Sequence, residues 1–440
     1  MIAKLLLAVV ITGVASGFFI TFYELLITFL TYFIFMGDPL KTIPHLPVWY
    51  LYFVPTLAIF IVNSITSRNQ HIREYSINEI AESVSRNTMT LTLRTLLLKI
   101  VTSALSLASG FPVGTEGPSA GMGAMIAYQV HRYLRLPTIL TKMMISVGAS
   151  SGIAAIFVSP ITGMAFAIEN IAHQFIKQYV GYLILASVIA FAVSIQFLDP
   201  IMFRHSVGRT LDNVYLIGNL LFIPFVTLFI YMYLYMKKRL LHMIDLEIFE
   251  KYAPYRNHIF ALIGGGTVGT ILLLEPQAAF SGKTLVMSLI NQENPIPILL
   301  IFSIIILRII GTTVSIYANA VGGIFLPLMS IGALIGYGFG ELLGLFHLSV
   351  EPFYFAAIGA AVFMGVIMKL PLTAVVLAME TTFDYNIVVG TGVSVVVAAY
   401  LSHLYFDIRK RYVTRADKRK RRARRTAAPD PSEESRASDD

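Results

Sequence analysis

The stretch Gly110-Phe111-Pro112-Val113-Gly114-Thr115-Glu116-Gly117-Pro118 sets one carboxylate among glycines. It runs straight into the small-residue segment Ser119-Ala120-Gly121-Met122-Gly123-Ala124. Pro118 suits the first turn of a helix, and glycine lets backbone approach a ligand closely. Unpaired N–H groups at a helix start, with the helix dipole behind them, attract an anion. Glu116 at that mouth can take the anion's place itself, as a tethered competitor. Protonation would neutralise the side chain and release it, which makes a gate coupled to protons. The plainer alternative is a glutamate that caps a buried helix N-terminus. Ionisable groups at membrane depth are expensive and usually functional.

A second stretch of this kind is Val321-Gly322-Gly323-Ile324-Phe325-Leu326-Pro327. Glycines again precede a proline and a new apolar helix, near 328–340. The backbone N–H groups of Ile324 and Phe325 would face a desolvated anion, with Phe325 fencing it. An ordinary Gly-Pro break between two helices is the alternative.

The two stretches belong to a repeat. Gly114–Pro118 and Gly323–Pro327 stand 209 residues apart. Ser159-Pro160-Ile161-Thr162-Gly163 and Leu370-Pro371-Leu372-Thr373-Ala374 stand 211 apart. Nine residues after each proline comes a glutamate, Glu169 or Glu380. Two matches at nearly one offset point to two related halves, roughly 1–205 and 206–412. Duplicated halves with a site near the midplane are a transporter feature. The spacing leaves open whether the halves are parallel or inverted.

The elements that must position these residues are membrane helices. The chain has 440 residues, of which 56% are hydrophobic and 13% charged, and its mean hydropathy is +0.73. A soluble domain carries about a quarter charged residues. Apolar runs long enough to cross a bilayer recur, so the chain is a polytopic helical membrane protein. The absence of cysteine excludes disulfides, thiol catalysis and thiolate metal sites.

Lys4, Leu5–Val14 and Ala15-Ser16-Gly17 have the outline of a signal peptide. The apolar run continues to Met36, however, interrupted only by Glu24. We read a retained first span, longer than a membrane needs and therefore tilted. Further apolar segments lie near 47–66, 91–109, 119–135, 138–157, 161–196, 212–236, 258–274, 297–318, 322–346, 353–379 and 386–406. Gly and Pro break many of them. Broken helices in lipid survive only where neighbours or an aqueous cavity satisfy the freed backbone.

The net charge of +8 is concentrated in residues 409–425, which hold 11 Lys/Arg and one acid. This is a basic tail on a membrane body, facing anionic lipid, and not a nucleic-acid-binding surface. Basic clusters at 67–73, 237–239 and 409–425 predict that both termini are cytoplasmic. Residues 413–440, basic and then acidic, are predicted to be disordered.

In this order, G-T-E-G-P, S-P-I-T-G-x-x-F-A-I-E, G-G-I-F-L-P and L-P-L-T-x-x-x-L-A-M-E-T-T resemble the CLC family of chloride channels and proton-coupled chloride antiporters. The resemblance runs from about residue 70 to 412, and more weakly to the N-terminus. It implies an all-α polytopic membrane fold of two inverted halves built from tilted and broken helices. It implies a homodimer in the lipid bilayer, with one anion pathway per subunit. Glu116 would be the external gating glutamate. Gly114, Thr115, Gly117, Pro118, Gly323, Ile324 and Phe325 would surround the anion, with Ile324 and Phe325 supplying amides. No cofactor is implied; chloride and protons are the substrates, and the chain is not an enzyme.

Departures from the family pattern are specific. The family places a serine upstream of the gating motif, and its usual spacing lands on Tyr75, with Ser76 as the alternative. Antiporters of the family carry two successive acids at the end of the S-P-I-T-G helix. Here the pair is Glu169-Asn170, and the proton-carrying position matches Asn170, which cannot titrate; proton coupling would then use Glu169, water or nothing, and the alternative for Glu169 is a buried structural carboxylate. The tyrosine that closes the inner side matches Tyr412 with one inserted residue, or Tyr405.

Weaker signals point elsewhere. Gly148-Ala149-Ser150-Ser151-Gly152 fits G-x-S-x-G, which raises an intramembrane serine hydrolase on Ser150 or Ser151. The strand–turn–helix context of that motif is missing, and small residues at this spacing favour close helix packing. The histidines show no metal-ligand spacing. Arg308, inside an apolar helix, is expected to pair structurally with a glutamate. The reading is a chloride/proton antiporter or loosely coupled chloride transporter gated by Glu116. A passive chloride channel, a fluoride-selective relative and an organic-anion transporter are the alternatives within transport.

Overall fold

A computed structural model describes residues 1–68, 72, 92–170, 176–200, 213–244, 256–290, 296–348 and 350–404. Tyr75, Ser76, Tyr405, Tyr412 and the basic tail lie outside the described residues, as does the side chain of Asn170. The first half contains α1 (Ile2–Ile34), α2 (Val48–Thr66), α3 (Leu93–Ala108), α4 (Glu116–Tyr133), α5 (Thr141–Phe157), α6 (Pro160–Asn170) and α7 (Ile176–Ser194). The second contains α8 (Asn213–Ile244), α9 (Arg256–Leu274), α10 (Lys283–Ile290), α11 (Ile298–Tyr317), α12 (Phe325–Leu345), α13 (Pro352–Met368), α14 (Pro371–Thr382) and α15 (Ile387–Leu404). Among the described residues, eight stretches are long and apolar enough to cross a membrane. The chain is an integral, multi-pass membrane protein.

The elements recur at an offset of about 210 residues: α1 with α8, α2 with α9, α3 with α11, and α4–α7 with α12–α15. Local backbone recurs with them. α5 ends at Val158 and α13 at Lys369, both left-handed, with φ of 51° and 61°. Each is followed one residue later by an N–H bonded back into the helix, Ser159 to the Ala154 carbonyl and Leu370 to that of Gly365. Proline then starts the next helix in both halves, where its missing N–H is harmless.

The halves are inverted. The repeat partners α6 and α14 pack side by side, and Glu169 near the end of α6 bonds the start of α14. Glu380 near the end of α14 bonds the start of α6. Only antiparallel helices can meet both ends in this way.

Small residues set the close packing. Gly148 and Gly152 of α5 lie against the backbone of Gly123 and Ser119 on α4. The repeat reproduces this with Gly359 of α13 against Gly332 and Gly336 of α12. α1 is 33 residues, hence about 50 Å long, against a hydrocarbon core of about 30 Å. Its Gly13 and Gly17 seat it on α7, where a Cβ on Gly17 would come 2.7 Å from Val193 Cβ. The small residues that resemble a cleavage site are thus helix-packing residues. The apolar segment expected at 161–196 is two helices, α6 and α7, because hydropathy alone does not register the break between them.

Candidate functional site

α3 and α11 end alike. Phe111 and Ala320 return N–H bonds to the carbonyls of Ser106 and Ser315, over a left-handed Gly110 (φ +100°) and Asn319 (φ +68°). Glycine adopts that conformation freely, and asparagine is the side chain that tolerates it best. The extended segments that follow then run antiparallel to each other. Gly114 and Gly323 exchange two backbone hydrogen bonds, each 2.7 Å, across a local two-fold. Immediately beyond this bridge, α4 begins at Glu116 and α12 at Phe325. Two helix N-termini therefore face one buried point, where their dipoles add.

The Glu116 carboxylate occupies that point. It is 2% exposed, and its Oε1 accepts the N–H of Phe325 at 2.5 Å. Oε2 is buried, with no hydrogen-bond partner among the described residues. The glycines make the room. A Cβ on Gly114 would lie 2.6 Å from the Glu116 carboxyl carbon, and one on Gly323 would lie 2.8 Å from it. Gly117 packs on Gly323, 3.2 Å from a built Cβ to the Gly323 Cα.

Thr115 is the residue before α4. Its carbonyl accepts the N–H and hydroxyl of Ser119 at 3.0 and 2.8 Å, and Pro118 is buried in that first turn. Ile324 is the corresponding residue before α12. The Phe325 ring is fully buried, with Phe157 and Phe166 at centroid distances of 4.9 and 6.3 Å. Such a place is apolar around and amide-lined within, the surroundings that suit a small anionic group.

Glu169 sits apart from this point and is fully engaged. It accepts the N–H groups of Leu372 and Thr373 at 2.6 and 2.8 Å and the Thr373 hydroxyl at 2.5 Å. Glu380 mirrors it, accepting the N–H groups of Ile161 and Thr162 at 2.9 and 2.5 Å and the Thr162 hydroxyl at 2.7 Å. The Ser159 hydroxyl also bonds Glu380. Sequence reading treats Glu380 only as a marker of the repeat. Nine residues of helix span about 13.5 Å, the reach needed to cap an antiparallel neighbour, so the spacing carries that signal.

Arg308 does not pair with any described glutamate. Its buried guanidinium donates to the carbonyls of Gln277, Ala279, Phe280 and Ser281 at 3.3, 3.1, 3.5 and 3.1 Å. Five N–H donors can be met by a curl of loop carbonyls as well as by a carboxylate. Among the described residues, the serines of the G-x-S-x-G match have no base as a hydrogen-bond partner. Ser150 Oγ pairs with Ser187 Oγ at 2.6 Å, and Ser151 donates to its own helix at the Val147 carbonyl.

Comparison with known proteins agrees with this architecture. The family model described as "Voltage gated chloride channel" matches residues 56–403. The H(+)/Cl(-) exchange transporter ClcA of Vibrio cholerae serotype O1 is 27% identical over 311 residues, covering 67% of this chain. The chain spans 64% of that relative's length. Among solved structures, a slow cyanobacterial Cl-/H+ antiporter is similar at a TM-score of 0.80 and 21% identity, over 91% of this chain and 95% of its own. A CLC-type fluoride/proton antiporter gives 0.72 and 22%, over 92% and 96%. These are transport proteins and not enzymes. With most of its length matched, this chain belongs to the voltage-gated chloride channel family, CLC.

Proposed function

We propose that the chain moves chloride across a membrane, with Glu116 as a gate that opens on protonation. One observation carries the reading: a buried carboxylate lies on the Phe325 amide, where two helix N-termini meet. An anionic side chain there competes directly with a free halide for the same N–H groups. A proton taken up at Oε2 cancels the charge that holds the side chain in place and frees the amides for chloride. The names of the exchanger relatives support chloride and protons as the two substrates.

Loose coupling fits this chain better than strict exchange. Asn170 cannot carry a proton, and all three hydrogen bonds to Glu169 fix it as a helix cap. The reading includes a homodimer with both termini cytoplasmic, Tyr75 or Ser76 at the inner mouth, and Tyr412 or Tyr405 closing it. Proteoliposomes test it. Chloride efflux should rise as external pH falls in the wild type, and should be high and independent of pH in Glu116→Ala. Equal efflux from both proteins at every pH would refute the gate.

A further inference from the structure

Tyr23, on α1, is fully buried and far along the chain from both anion-site loops. Its hydroxyl lies 2.6 Å from Ser103 Oγ on α3. Ser103 Oγ in turn lies 2.9 Å from the Val321 carbonyl. A serine hydroxyl has one proton. Given to the carbonyl, it leaves Oγ as an acceptor, so the phenol must be the donor. The relay therefore runs from the Tyr23 O–H to Ser103, and from the Ser103 O–H to Val321. One turn along α3, Ser106 Oγ accepts the Val321 N–H at 3.1 Å and gives its own proton to the Thr102 carbonyl at 2.9 Å. Both faces of Val321 are thus tied to α3, two residues before the Gly323 bridge and four before the Phe325 amide.

Among the described residues, the other half of the repeat has no such device. The counterpart of Val321 is Pro112, whose ring fixes φ and which has no N–H to anchor. The counterpart of Ser103 is Thr312, whose buried hydroxyl is without a hydrogen-bond partner. Ser315, the counterpart of Ser106, bonds the Gly311 carbonyl of its own helix at 2.6 Å. One loop is held covalently by a proline, and the other by a relay of hydroxyls that begins on α1.

We infer that Tyr23 is a positioning residue of the anion site, acting through Ser103 to hold Val321 and so the Phe325 amide. The inference rests on the transport reading above. A slack Val321 lets the amide wander from the anion, which weakens binding and discrimination and need not impair assembly.

Calorimetric titration of the full-length protein in detergent with chloride, and with nitrate, tests this. Tyr23→Phe removes one oxygen and keeps the ring. It should weaken chloride binding about three- to tenfold, the scale of one buried hydrogen bond, and narrow the chloride/nitrate ratio. Ser103→Ala should do the same, Ser103→Thr should stay within about twofold of wild type, and the double variant should be no weaker than Ser103→Ala alone. Tyr354→Phe, which loses a bond to Asn219 instead, should leave chloride binding unchanged. Wild-type affinity and ratio in both Tyr23→Phe and Ser103→Ala, or effects that add in the double variant, would overturn the inference. If Tyr23→Phe does not purify folded, the two Ser103 variants decide by the same readings. A wild type that binds no halide would bring down the transport reading, and this inference with it.

Discussion

Glu169 and Glu380 stand at opposite ends of the α6–α14 pair, and each carboxylate caps the helix that carries the other. The exchange satisfies N–H groups at two helix starts that have no partner within their own helices. It also places negative charge at the positive end of each dipole. The prolines at the two starts, Pro160 and Pro371, leave one N–H fewer to satisfy at each.

Removing either cap should loosen the pair. Glu380→Ala leaves the N–H groups of Ile161 and Thr162 and two hydroxyls unmet, and should cost about 2 kcal/mol. Glu169→Ala should cost a similar amount. Thermal unfolding in detergent measures both, and an unchanged midpoint in both variants would contradict the capping role.

Glu169 also matters for the proton. A carboxylate held by three donors is a poor carrier. Glu169→Gln should lower stability, because an amide sets its NH2 against an N–H donor, yet leave proton movement driven by a chloride gradient unchanged. A pH electrode outside chloride-loaded vesicles reads this. Loss of proton movement in that variant would make Glu169 the carrier.

Gly323 is a residue against which the Glu116 carboxylate lies. Gly323→Ala would put a methyl 2.8 Å from the Glu116 carboxyl carbon and 3.0 Å from the Gly117 nitrogen. The carboxylate and a halide would be excluded alike, so chloride binding and acid-stimulated efflux should fall together, by about tenfold or more. Efflux that rises in Gly323→Ala would mean that the glycine serves only to seat the gate.

Much of this site is legible in the sequence because its chemistry is local. Gly and Pro at the two breaks announce helix starts, and the glutamate between them announces what occupies the point. The repeat is legible because Pro160–Glu169 and Pro371–Glu380 keep one spacing. Inversion is not legible in the spacing and enters the sequence reading only through the family resemblance, since antiparallel contact between α6 and α14 is a tertiary fact. The Arg308 expectation fails for a related reason. Nothing in residues 277–281 signals that their carbonyls curl around a guanidinium. Tyr23 is equally silent, one aromatic residue within an apolar helix whose hydroxyl finds its partner on α3.

The gate itself is tested by pH. External acid should stimulate chloride efflux in the wild type by protonating Glu116. Glu116→Gln should fix efflux at or above the acid-stimulated level and remove the pH response. A pH response that survives in Glu116→Gln would assign the proton to another group.

The most direct measurement is anomalous scattering from bromide in crystals of the Glu116→Gln variant. Without the carboxylate's charge, a bromide peak should lie within hydrogen-bond reach of the Phe325 N–H, between the starts of α4 and α12. A crystal that carries bromide elsewhere but none at that point would contradict the claim that these two helix starts form the anion site.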